Sequence, residues 1–139
     1  MEQKLNYAGI AGAVAGVVGI LGVYSDWWAS DTAIYHGTAD VSGTLALAMS
    51  LGLFVFGGAY VLLADAGIRR AMGALMTICA VLLTLACVWG LTRADQVEAG
   101  ATVESGMYVS LLGGLVGIAA GLLALRNAQR ADATRDDAA

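Results

Sequence analysis

Four stretches of this chain carry no side chain that is charged at neutral pH. Residues 7–24, 44–63, 71–91 and 108–125 are each about 18 to 21 residues long and lack Asp, Glu, Lys, Arg and His. A helix needs roughly 20 apolar residues to cross a hydrocarbon layer of about 30 Å. The chain has no proline, and its apolar runs lack the period-two alternation of a membrane barrel strand. Helical spans are therefore expected, giving an all-α integral membrane four-helix bundle over residues 1–126.

Composition supports the same solvent. Of the residues, 59% are apolar and 13% charged, against about a quarter charged in soluble domains, and the mean hydropathy is +0.76. A chain of 139 residues cannot hide that much apolar surface in one aqueous core. The first span exceeds the apolar core of a secretory signal, and Trp27 and Trp28 stand where a small-residue cleavage site would be, so it is read as retained. An even number of spans puts both termini on one side.

Basic residues choose that side. With the termini and the link between spans two and three in the cytoplasm, Lys4, Arg69, Arg70, Arg126, Arg130 and Arg135 lie inside and Arg93 alone outside. This is a strong positive-inside bias. Asp26, Asp31, Asp40, Asp95, Glu98 and Glu104 then fall in the two outer loops. A negative exterior repels nucleic acid and attracts cations weakly.

Aromatic residues collect at the expected span ends. Trp and Tyr favour the headgroup layer because one edge is polar and the body apolar. Tyr24, Trp27, Trp28, Trp89 and Tyr108 are thus expected as outer interfacial anchors, with Tyr7 and Tyr60 on the inner side.

Inside the spans, small residues recur at steps of three and four. The first has Gly12, Ala15, Gly19 and Gly22, the third Gly73, Thr77 and Ala80, and the fourth Gly113, Gly117 and Ala120. Lipid tails are as apolar as leucine, so helices in a bilayer associate by close backbone approach, which small side chains permit. Gly16, Gly114 and Gly121 widen the small faces of the first and fourth spans, which makes those two the expected surface for self-association.

The inner link, near residues 64–70, is short enough to force antiparallel neighbours. In the first outer loop, β-branched and aromatic residues on either side of His36-Gly37 offer a small hairpin. The tail, residues 127–139, has no apolar periodicity and reads as polar, a frayed helix end followed by disorder.

Residues suited to chemistry are few. The spans hold no ionisable acid, base or imidazole that would mark a proton relay or coupled transport. His36 stands alone among loop carboxylates at irregular spacing, which does not specify a metal site. Cys79 and Cys87 are eight residues apart on one helix, about 12 Å along its axis, and read as small buried apolar residues. No phosphate loop, nucleophile elbow or metalloprotease motif is present. The reading is a chain that is not an enzyme and uses no cofactor or metal.

One lysine, acid-rich loops and abundant Ala, Gly, Val and Asp give the chain a resemblance, in architecture and composition, to small four-span integral membrane proteins of halophilic archaea and of their pleomorphic enveloped viruses. That resemblance implies a structural role in a cellular membrane complex or a viral envelope. The expected function is therefore a non-catalytic structural or assembly subunit, in contact with the lipid bilayer and with copies of itself or another membrane protein. The other class left open is a small oligomeric transporter or cation channel component, with Asp26, Asp31 and Asp40 gathering cations.

Overall fold

The computed structural model describes residues 2–138, with side chains from Asn6 onward. Helix α1 spans Glu2–Tyr24, α2 Val41–Leu62, α3 Ala66–Leu91, the short α4 Ala94–Val97 and α5 Ser105–Asp136. Between α1 and α2 lie β1 (Asp26–Ala29), β2 (Ile34–His36) and one 3-10 turn, Gly37–Ala39. Strand β3, Thr102–Val103, precedes α5. Among the described residues four helices, α1, α2, α3 and α5, are long and apolar enough to cross a membrane.

These four form a ring. Helix α1 packs on α2 and α5, α3 packs on the same two, and the diagonal pairs barely touch. Because the chain reverses at each connection, every neighbouring pair is antiparallel. The turn between α2 and α3 is only residues 63–65. Asp65 accepts a hydrogen bond from Ile68 N at 3.0 Å as N-cap of α3, and Arg69 Nε donates to Leu63 O at 2.7 Å, closing the end of α2. Both bonds satisfy helix-end groups left without intrahelical partners.

The helix contacts are made mostly by small residues, with Leu53, Tyr60, Met76 and Leu83 the large side chains buried among them, and most other large apolar residues face outward. Gly12, Gly19 and Gly22 are buried on α1, while Ile10, Val14, Val17 and Leu21 are exposed. On α5, Gly113, Gly114, Gly117 and Gly121 are buried, and Leu112, Leu115, Val116 and Leu122 are exposed. Leu51, Phe54 and Val55 on α2, and Ile78, Leu82 and Leu85 on α3, also face outward. A bundle built for water turns its leucines inward; this one has the opposite polarity of size.

The inward glycines are contact points between backbones. A Cβ at Gly57 would lie 2.5 Å from Ala13 N and 2.8 Å from Gly9 O, so α1 and α2 touch main chain to main chain there. A Cβ at Gly113 would lie 2.8 Å from Ala15 O and 2.9 Å from Gly19 N. Ser110 Oγ donates to Gly19 O at 3.1 Å, an interhelical bond at the same crossing. Ser50, Thr77 and Thr84 instead donate to carbonyls four residues back in their own helices.

The structure corrects two sequence expectations. Gly16 is buried against Phe54 and Ser50 of α2, Gly114 against Thr84 and Gly121 against Thr77 of α3. They belong to internal contacts, so they do not widen an outer face for self-association. The tail expected to fray and become disordered over 127–139 continues α5 to Asp136, and Ala139 lies outside the described residues. Ala is the commonest residue of that stretch and, with Gln129, Arg130 and Arg135, favours helix, and Ala128 is buried.

Candidate functional site: a cap built from the two outer loops

At the end of the bundle where α1 and α3 finish and α2 and α5 begin, the loops fold into a cap. Strand β1 is central in a three-stranded antiparallel sheet ordered β2-β1-β3. Trp28 pairs with Tyr35 and with Val103, and Ala29 with Ile34 and Thr102. The hairpin turns at 30–33, where Ser30 N donates to Ala33 O at 2.8 Å. The sequence offered His36-Gly37 as the turn; instead His36 ends β2 and Gly37 begins the 3-10 turn.

Asp26 pairs with His36 and Trp28 with Tyr35, which leaves Trp27 as an extra residue on β1. Adjacent side chains in a regular strand point to opposite faces, and a bulge relaxes that alternation. Both indoles are fully buried, in edge-to-face contact with ring centroids 5.3 Å apart. Trp27 Nε1 donates to Gly22 O at 3.0 Å and Trp28 Nε1 to Gly90 O at 3.3 Å. Those carbonyls lie in the last turns of α1 and α3, where each also accepts a backbone N–H, Gly22 O from Ser25 N at 3.2 Å and Gly90 O from Arg93 N at 3.1 Å, so each indole adds a second donor to a helix-end acceptor. The indoles therefore cap two helices while filling the space between them.

The sequence assigned Trp27 and Trp28 to the headgroup layer as anchors, and that is corrected here. Their polar edges bond protein carbonyls, Trp27 packs against Gly37 and Gly90, and the two rings meet edge to face. Tyr60 is likewise buried, its hydroxyl donating to Ala124 O at 3.3 Å. Tyr24, Trp89 and Tyr108 are exposed at the ends of α1, α3 and α5.

Two carboxylates join the loops. Asp40, the N-cap of α2, accepts from Ser42 N at 3.1 Å and from Ser42 Oγ at 2.7 Å. It also accepts both arms of Arg93, Nε at 2.7 Å and Nη2 at 2.9 Å, and the guanidinium lies 5.2 Å from the Trp89 ring centroid. Burial alone would raise the Asp40 pKa, but Arg93 and Ser42 together hold it below its ordinary 3.8. Glu98, just after α4, accepts from Ser30 Oγ at 2.6 Å, Thr32 Oγ1 at 2.5 Å and Tyr35 OH at 2.9 Å. The Ser30, Thr32 and Tyr35 bonds pull the Glu98 pKa below its usual value, and that same carboxylate raises the Tyr35 phenol.

These bonds change the meaning of the acidic loops. Asp40 is tied to Arg93, and Asp26 sits 3.3 Å from His36 Nδ1 across β1 and β2. Two of the three carboxylates expected to gather cations are thus engaged within the protein. Among the described residues no group of three or more His, Cys, Asp or Glu converges as metal ligands. The signal that could have revealed the lock is the single outer arginine; its partner, 53 residues away, is set by the fold.

The seam residues are brought together in three places. Ala15, Gly19 and Gly22 meet Gly113, Ser110 and Gly106 between α1 and α5, and Gly73, Thr77 and Ala80 meet Ala124, Gly121 and Gly117 between α3 and α5. Gly12 lies against Met76, which forms an inner cluster with Ala8, Tyr60, Ala120 and Ala124. No family model, curated protein or solved structure matches the chain.

Proposed function

We propose that this chain is a non-catalytic multi-pass integral membrane protein, with both termini in the cytoplasm and the loop-built cap outside. It acts as a structural or assembly subunit of a membrane complex or viral envelope. The observation that carries the reading is the polarity of size in the bundle: glycine and alanine at the contacts, leucine, valine and isoleucine on the outward faces of all four long helices. That arrangement costs free energy in water, at roughly 25 cal/mol for each Å² of apolar surface left wet, and none in hydrocarbon. The orientation rests on the six basic residues on one side against Arg93 on the other.

The structural role is supported by how the polar side chains of the cap are used. Arg93, Asp40, Glu98, Ser30, Thr32 and Tyr35 are committed to bonds with one another, which makes the outer end a firm surface for presentation. Mild detergent extraction followed by native mass spectrometry is expected to give a homo-oligomer or a stable heteromeric partner. A lone monomer under conditions that preserve known complexes would refute the assembly role. Reporter tags at both termini are expected to read out on the cytoplasmic side.

A further inference from the structure

We propose that the inner end of α2, α3 and α5 binds the phosphate headgroup of an anionic phospholipid, through Arg69, Arg70 and Arg126. The proposal rests on the membrane reading above and adds the chemistry of the lipid.

The site is assembled by the fold. A Cβ at Gly73 would lie 3.2 Å from Ala124 Cβ and 3.2 Å from Leu125 N, so α3 and α5 touch there. From that contact Arg70 is three residues back along α3 and Arg126 one or two residues on along α5. At 1.5 Å per residue both lie within about 5 Å of it, toward the inner end. Each also borders the end of an uncharged stretch, 71–91 or 108–125. The headgroup layer is roughly 5 to 7 Å deep on each side of the hydrocarbon, so both guanidinium stems start at phosphate depth.

Arg69 adds a fixed fork. Its Nε is held by Leu63 O at 2.7 Å and its guanidinium carbon stands 5.8 Å from the Tyr60 ring centroid. Tyr60 is in turn bonded to Ala124 O of α5. The Nε bond and the ring contact orient the group, while its two Nη nitrogens have no partner among the described residues. Arg70 and Arg126 are exposed and form no ion pair among the described residues. The acids near this end are Asp65, turned to Ile68 N as a helix cap, and Asp132, about 9 Å beyond Arg126 along α5. The contrast with the opposite end is direct: Arg93 there is paired with Asp40, whereas among the described residues these arginines form no ion pair. Guanidinium groups bind phosphate oxygens through paired N–H donors, and a basic residue at an anionic surface contributes about 1 kcal/mol.

The test uses the full chain in a zwitterionic detergent at about 0.1 M salt, where charges at the surface are still felt over roughly 10 Å. Phosphatidylglycerol and phosphatidylcholine are titrated separately, and retained lipid is read by native mass spectrometry. Phosphatidylglycerol is expected to be retained in preference. The combined variant Arg69→Gln, Arg70→Gln, Arg126→Gln is expected to weaken that retention at least about tenfold. Since Arg69 also closes a helix end, Arg70→Gln with Arg126→Gln is run beside it and is expected to weaken retention several-fold with an unchanged helical spectrum. Arg135→Gln, further along α5, is expected to change it less than twofold. Equal retention of both lipids, or unchanged retention in the two-residue variant, overturns the proposal. So does displacement of the lipid by millimolar inorganic phosphate, which would mark a soluble anion site. A protein that stays dissolved and folded without detergent would refute the membrane reading itself, a result distinct from these.

Discussion

The crossing of α1 with α5 and the cap above it are made of opposite materials. At the crossing, Gly19, Gly22, Gly106 and Gly113 contribute almost no side chain, and among the described residues one hydroxyl bond, from Ser110 to Gly19 O, links the helices there. In the cap, two indoles, an arginine and two carboxylates each hold a named partner. On the proposed membrane reading, the difference follows from what surrounds each part. Apolar side chains gain nothing by leaving lipid, so the bundle must gain from close contact; the cap can exclude water and use strong polar bonds.

The largest expected effect tests whether the cap merely rides on the bundle. Trp28→Ala empties a fully buried site and removes the indole bond to Gly90 O, so about 3 to 5 kcal/mol is expected to be lost. If the cap also holds the helix ends, the thermal midpoint of the entire helical signal falls in detergent. If only the loops become protease-sensitive, the cap and bundle are separate units. Trp28→Phe keeps most of the packing and is expected to cost nearer 1 kcal/mol, whereas a headgroup anchor would lose nothing in folding stability.

Next come two adjacent glycines of α2. Gly57→Leu drives a side chain into the α1 backbone and is expected to cost about 3 kcal/mol. A Cβ at Gly58 would meet nothing within 4 Å, and Gly58→Ala is expected to be neutral or to stabilise by up to about 1 kcal/mol. Equal effects in unfolding titrations would show that the contacts of α2 are misplaced.

Asp40→Asn and Arg93→Gln are each expected to cost about 2 kcal/mol, because either leaves a largely enclosed partner unpaired. Their double variant is expected to lose less than the sum. The same bonds set an acid limit. Asp40 and Glu98 have pKa values below their ordinary 3.8 and 4.5, so their contribution is complete above about pH 5. It is lost as pH falls through the lowered values. Cap stability followed by tryptophan emission should be flat from pH 8 to 5 and decline below about 4. Asp40→Asn should flatten part of that decline.

The smallest effect lies at the crossing itself. Ser110→Ala removes the hydroxyl bond to Gly19 O and is expected to cost about 0.6 kcal/mol, the usual size of such bonds between membrane helices. A loss of 2 kcal/mol or more would mean that polar bonding, not close approach, holds α1 to α5.

The four apolar helices were legible in the sequence because uninterrupted segments such as Ala71 to Leu91 admit one regular solution to backbone hydrogen bonding in a solvent without donors. The small-residue rows were legible too, since a period of three and four is a local property of a helix. Three things were decided only by tertiary structure. Which helix each glycine faces depends on the ring order, so Gly16, Gly114 and Gly121 went inward against α2 and α3. The extra residue on β1 turned Trp27 and Trp28 from apparent membrane anchors into a buried pair. The pairing of Asp40 with Arg93 spans 53 positions. Helical periodicity is written in neighbours a few residues apart, whereas a strand bulge and a long-range ion pair exist only once distant segments have met.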